Sequence, residues 1–157
     1  VTTFTQSTLE ENLPMYVVEV LRNNISDPSS ATRPTKELFI YKDRPAKIAD
    51  TYPYLIVSLD QYDEDVVAYD VRAPRESYIE VMVVTKGQNA LYQRDSYTSL
   101  VRSTLSDNSS ENSDGVSLED QHLRFTTFNS TNNDTTTTDG DIVRLKTLRC
   151  GFIYEGD

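Results

Sequence analysis

Apolar residues recur at helical spacing over residues 9–25, where Leu13, Val17, Val20 and Leu21 fall on one side of an amphipathic helix. Two starts fit this helix: a capping box between Thr8 and Glu11, or Asn12 as cap with Pro14 in the first turn. The later start is favoured, because the earlier one leaves Pro14 inside the helix without a backbone donor. Asn23, Asn24, Ser26 and Asp27-Pro28 end it, and the polar stretch through Pro34 reads as a loop.

From Glu37 the pattern becomes strand-like, with a short strand over 38–41 and a stronger one over 54–59, opened by Pro53 where a missing donor costs least. An acidic turn over 60–65 precedes a short strand at 66–69. Residues 78–85 are the most strand-like in the chain. There Ile79, Val81 and Val83 point one way and Tyr78, Met82 and Val84 the other, which predicts a central strand covered on both faces. Gly87-Gln88-Asn89 breaks this strand, and Asn89 is placed to cap a second helix over 90–105 with an apolar stripe of Tyr97, Leu100, Val101 and Leu105.

Residues 106–117 are poor in apolar side chains and predict a mobile loop inside one domain. Two last strands, 123–128 and 142–154, flank a polar tract over 129–141 with Asp139-Gly140 as its turn, long for a hairpin loop. The order is helix, three or four strands, helix, two strands. It predicts an α+β fold, a mainly antiparallel sheet packed against two helices with long polar loops, and one domain spanning 1–157.

Composition narrows the function classes. A chain of 157 residues buries about 68–70% of its unfolded surface, enough for a core without disulfides or metals. The single cysteine, Cys150, has no partner for a disulfide or a paired-cysteine zinc site, and its place in a strand between Leu148 and Phe152 predicts a buried thiol. The absence of a long apolar run and of a basic-then-apolar start leads to the expectation of a soluble protein made in the cytoplasm, with no membrane partner.

The formal net charge of −10 opposes phosphate-neutralising contact with nucleic acid. The acid is skewed to Asp (15 against 10 Glu) and the base to Arg (10 against 5 Lys). Short hydrated carboxylates with few lysines suit a protein working in high salt, where self-repulsion is screened; an ordinary acidic mesophilic protein fits as well.

Candidate chemistry is sparse. His122 is the only histidine and stands just before a strand without a nucleophile motif, so a strand-edge residue is the expectation. The carboxylates Asp60, Asp63, Glu64 and Asp65, and later Asp134, Asp139 and Asp141, could hold a hard cation, but neither set has calcium-loop spacing and each reads as a solvated acidic turn. No glycine pattern forms a phosphate cradle. No catalytic residue, metal ligand or cofactor is therefore expected. Sequons at Asn24, Asn108, Asn129 and Asn133 are of the number an Asn-, Ser- and Thr-rich chain makes by chance. Arg144, Lys146 and Arg149 concentrate positive charge on the last strand. They fit either an interaction face meeting the acidic turn of a neighbouring copy (Asp60, Asp63, Glu64, Asp65) or an edge strand that charge protects from aggregation.

The N-terminal helix, Tyr52-Pro53-Tyr54-Leu55-Ile56 at a strand start, Ile79-Glu80-Val81-Met82-Val83, the helix over 90–105 and the closing Gly151-Phe152-Ile153-Tyr154-Glu155 together resemble tail terminator, or tail completion, proteins of long-tailed double-stranded DNA viruses. Members of that family form six-membered rings that cap the tail tube and join it to the neck below the capsid. The resemblance implies a non-enzymatic virion protein of the tail or neck, assembled in the host cytoplasm. It implies a homo-hexamer whose partners are the tail tube protein and neck or connector proteins, with DNA passing transiently and non-specifically through the ring. With the Asp and Thr bias it points to a virus of a salt-loving archaeal host. The tracts 106–117 and 129–141 are longer and more polar than the family's usual loops. Two other readings are a neighbouring neck or head-completion protein and an acidic module binding a small ligand or calcium.

Overall fold

The computed structural model describes residues 4, 9–33, 35–44, 51–60, 76–136 and 140–156. Helix α1 spans Leu9–Asn24 and α2 spans Ala90–Ser106; the strands are β1 Ile40–Lys42, β2 Tyr54–Leu59, β3 Glu76–Lys86, β4 Leu123–Asn132, β5 Thr135–Thr136 and β6 Ile142–Tyr154. The fold is α+β, as the periodicities predict. The sheet runs β1-β2-β3-β6-β4, with β5 pairing the start of β6. Among the described strands only β1 and β2 are parallel; the other pairings are antiparallel. β3 is the middle strand of this path, flanked by β2 and β6.

Both helices pack on one face of the sheet. Leu13, Val17 and Leu21 of α1, Tyr97, Val101 and Leu105 of α2, and Val81, Val83, Leu148 and Phe152 of the sheet form a single apolar core. The alternation along β3 puts Ile79, Val81 and Val83 into that core without exposure, while Val84, on the opposite face, is also buried.

Helix α1 begins earlier than the sequence favours. Its first residue is Leu9, Pro14 lies inside it, and Asn12 is an internal residue rather than a cap. Leu9 and Leu13 are both buried. Burying one leucine contributes about 1.5–3 kcal/mol, comparable with the roughly 3 kcal/mol an internal proline costs. The strand expected over 38–41 is displaced, because Lys36–Leu38 forms a short 3-10 turn and β1 starts at Ile40. The strand expected at 66–69 lies outside the described residues.

In α2 the buried residues are Ala90, Arg94, Tyr97, Thr98, Val101 and Leu105, and Leu100 is 42% exposed. The buried positions cover the arc from Tyr97 round to Thr98, and Leu100 falls about 60° outside its Tyr97 end. Asn89 precedes the helix but makes no side-chain capping bond; its carbonyl accepts the Gln93 N–H at 2.9 Å.

The polar segment after α2 is ordered, against the expectation of a mobile loop. Asn112 is 4% exposed. Its Oδ1 accepts the N–H groups of Asp114 and Val116, both at 3.0 Å, and its Nδ2 donates to Glu19 of α1 at 3.2 Å. Asn23 and Asn24 of α1 donate to the Glu111 carbonyl, each at 2.9 Å. Side-chain amides here replace the ladder partners that the backbone lacks, and Leu118 anchors the segment in the core. The tract over 129–141 is likewise shorter than expected: β4 continues to Asn132, and β5 returns against β6 through Thr136 and Ile142. Asp139 lies outside the described residues; Gly140 takes a φ of +84°.

Candidate functional site

Two faces of one sheet divide the candidate residues. Residues directly opposite in an antiparallel pair share a face, so the pairing of Val81 with Leu148, Val83 with Lys146 and Thr85 with Arg144 puts Lys146 and Arg144 on the helix side. Glu80 with Arg149 and Tyr78 with Gly151 fall on the opposite side, the helix-free side, which carries no helix among the described residues. The three cations of β6 are therefore not one patch.

On the helix side, Arg144 donates to Asp134 Oδ2 at 2.6 Å and the buried Arg94 of α2 donates to Oδ1 of the same carboxylate at 3.2 Å. Lys146 reaches Asp95 of α2 at 3.5 Å. The hydrogen bond from Arg144 holds the Asp134 carboxyl below the usual range against the opposing effect of desolvation, with the charges of Arg144 and Arg94 adding to it. This network staples the hairpin that follows β4 to α2. Asp134 and Asp141, which sequence offered as possible cation ligands, are both engaged by side chains: Asp141 pairs with Lys86 at 3.4 Å.

On the helix-free side, Arg149 donates through Nε to Asp60 Oδ2 at 2.7 Å, and its guanidinium lies 3.7 Å above the Tyr78 ring. Of the acidic turn named from sequence, Asp60 is thus in contact with its own chain's cation; Asp63, Glu64 and Asp65 lie outside the described residues. Beside this pair, Glu76 accepts from Thr126 at 2.5 Å, Thr127 at 2.7 Å and the Tyr78 hydroxyl at 2.8 Å. Burial pushes the Glu76 carboxyl up, but those three hydrogen bonds and the charge of Arg149 outweigh it and leave it below its ordinary value. Glu80 moves the other way: burial first, then repulsion by Asp60, raise it.

Gly151 explains how the threonines come so close. A Cβ at that position would collide with Thr127 Oγ1, Glu76 Oε1 and Thr126 Oγ1. The bulge between Phe125 and Thr127 brings both threonines to the one carboxylate. No motif marks this cluster in the sequence; it depends on the pairing of three strands.

Further along the same face the lining turns apolar. Tyr52, Tyr54, Ile56, Met82, Val84 and Leu145 border a depression of about 480 Å³ that also touches Arg44 and Glu80. The peptide bond between Tyr52 and Pro53 is cis. The chain at this point is fixed by Arg33, which donates to the Pro53 carbonyl at 2.5 Å and pairs with Asp27 at 2.6 Å, both side chains 2% exposed.

The remaining sequence candidates are separate from these clusters. His122 is exposed in the turn before β4 with a φ of +57°, and its ring stands edge-on to Tyr154. Cys150 is buried on the helix side, and burial pushes its thiol up to about 12. Asn24, Asn108, Asn129 and Asn133 are all exposed, and the Asn24 amide donates to the Val20 and Glu111 carbonyls. Among the described residues no group of three or more His, Cys, Asp or Glu side chains is placed to hold a metal ion, and no described helix is long and apolar enough to cross a membrane. No protein-family profile matches the chain, and no curated protein is significantly similar to it.

Proposed function

We propose that this chain is a structural virion protein, a ring-forming tail terminator or tail completion protein that caps the tail tube, joins it to the neck and lets DNA pass through the ring. The observation that supports this reading is the element order. An N-terminal helix, strands, a second helix and closing strands follow in the order on which the resemblance rests, and they build one mixed sheet with both helices on the same face. The net charge of −10 suits a lumen through which DNA slides without displacing counterions.

In such a ring, the contact expected between copies sets β6 cations against a neighbour's acidic turn. Arg149 already holds Asp60 of its own chain, so that contact requires it to exchange this partner for the same residue of the next copy, or to bind the turn's other carboxylates beside it. Arg144 and Lys146, on the opposite face and engaged with Asp134 and Asp95, would serve such a contact less directly.

Sizing the purified full chain across salt and protein concentration, with electron micrographs at high salt, tests the reading. Six-membered rings are the expected result, favoured as salt screens the negative charge. A strict monomer under every condition overturns self-driven ring formation.

A further inference from the structure

The sheet's two edges differ in how they meet solvent. β1 is three residues long. Asp43 N–H bonds inward to Val57 O and Phe39 O accepts from Leu55 N–H, so Ile40 and Lys42 turn their backbone groups outward. The outward Ile40 carbonyl accepts two bonds from the Arg22 guanidinium, at 3.1 and 2.8 Å, and Lys42 is exposed. A short strand, a covered carbonyl and a lysine are devices that keep an edge from pairing with another chain.

β4 closes the other side with ten residues. The bulge before Thr127 and the ion pair of Arg124 with Glu155 blunt its first part. From Thr127 to Asn132 it has no charge, no proline and no bulge, and no described strand lies outside it. Its backbone directions follow from one bond. Asn133 N–H donates inward to Leu145 O at 2.9 Å, so Thr131, Asn129 and Thr127, at even steps from it, also face β6. Phe128, Ser130 and Asn132 therefore turn their N–H and C=O groups away from the sheet.

We propose that this edge is taken by β4 of a second copy, antiparallel and centred on Ser130. That register sets Ser130 against its own counterpart and Phe128 against Asn132, each pair able to exchange two backbone hydrogen bonds. The strip is self-complementary, and it is uncharged in a chain of net charge −10, so two copies approach there without setting like charges opposite. β1 is short and its outward Ile40 carbonyl is already bonded to Arg22, so β4 is the edge left for a like strand. The contact is two-fold and stops at a pair. It does not depend on the ring reading.

Replacing Ser130 with proline tests it. Ser130→Pro removes an outward donor and no bond of the β4–β6 ladder, so the fold survives while the pairing is lost. Light scattering on the full chain should give the wild type twice the mass of S130P at equal concentration. Equal masses overturn the proposal and leave the edge to a strand of another protein. If circular dichroism shows S130P misfolded, Ser130→Lys is read in the same way. Amide exchange in the unaltered chain gives an independent answer: the N–H groups of Phe128, Ser130 and Asn132 should exchange slowly when concentrated and fast on dilution, and fast exchange throughout overturns the pairing. Whether the halved particle holds one subunit or six reports separately on the ring.

Discussion

On the helix side of the sheet, Val81, Leu148 and Phe152 have no solvent exposure and sit in one continuous apolar core. On the other side the same strands run from an apolar end at Val84 and Leu145 to a polar end, where Glu76, Glu80, Tyr78 and Asp60 gather around Arg149. The first face holds the fold together by excluding water. The second is where the sequence places ionisable groups that a core would not tolerate, each carboxylate needing hydrogen bonds or a cation to offset its desolvation. A function that works through surfaces has more to read on the second face than on the first.

If that division is right, substitutions on the two faces should differ in size. The largest effect should come from Phe152→Ala, which empties space at the centre of the helix side next to Phe125. A loss of about 3–5 kcal/mol is expected, read from urea unfolding. A loss below about 1 kcal/mol would mean that the core collapses around the missing ring and that the helix side is not closely packed. Gly151→Ala should come next. It adds one methyl on the polar side, but into the convergence of Thr126, Thr127 and Glu76, and overpacking of this kind costs about 1–3 kcal/mol. Unchanged stability would show that the cluster yields without cost.

Parts of this arrangement are legible in the sequence. Strands β2 and β6 occupy the residues expected of them and β3 lies within two residues of its expected bounds; β2 and β3 are runs of β-branched, aromatic and aliphatic residues ended by Asp60 and Gly87. The separation of Arg144 and Lys146 from Arg149 is legible too, because in a strand with period two even and odd positions face opposite sides, whatever their nearness along the chain. The ordered segment after α2 was not legible. Asn112 looks like a solvated loop residue until α1 is in place to supply Glu19 as its acceptor and the amides of Asn23 and Asn24 as donors to the neighbouring Glu111 carbonyl. The cluster at Gly151 needed the register of three strands and a bulge, none of which periodicity encodes.

The smallest expected effect is also the one that separates two carboxylates on a single strand face. Glu76 is held below its ordinary value, so its contribution to stability is present above the unfolded glutamate value and is lost as pH falls through the folded one. Glu80 is raised, so its contribution is fully present below the unfolded value and is lost as pH rises through the folded one. Glu76→Gln should therefore destabilise the protein near neutrality by about 0.5–1.5 kcal/mol, with the difference shrinking in acid. Glu80→Gln, which keeps the neutral form at every pH, should stabilise it near neutrality by less than about 0.5 kcal/mol once solvent screening is allowed for, and this gain should also vanish in acid. Thermal unfolding of both variants between acid and neutral pH checks the signs. Curves that shift in the same direction would mean that Glu80 has found a cation as effective as the partners of Glu76, and that the polar end of this face is a single balanced network rather than a lowered carboxylate beside a raised one.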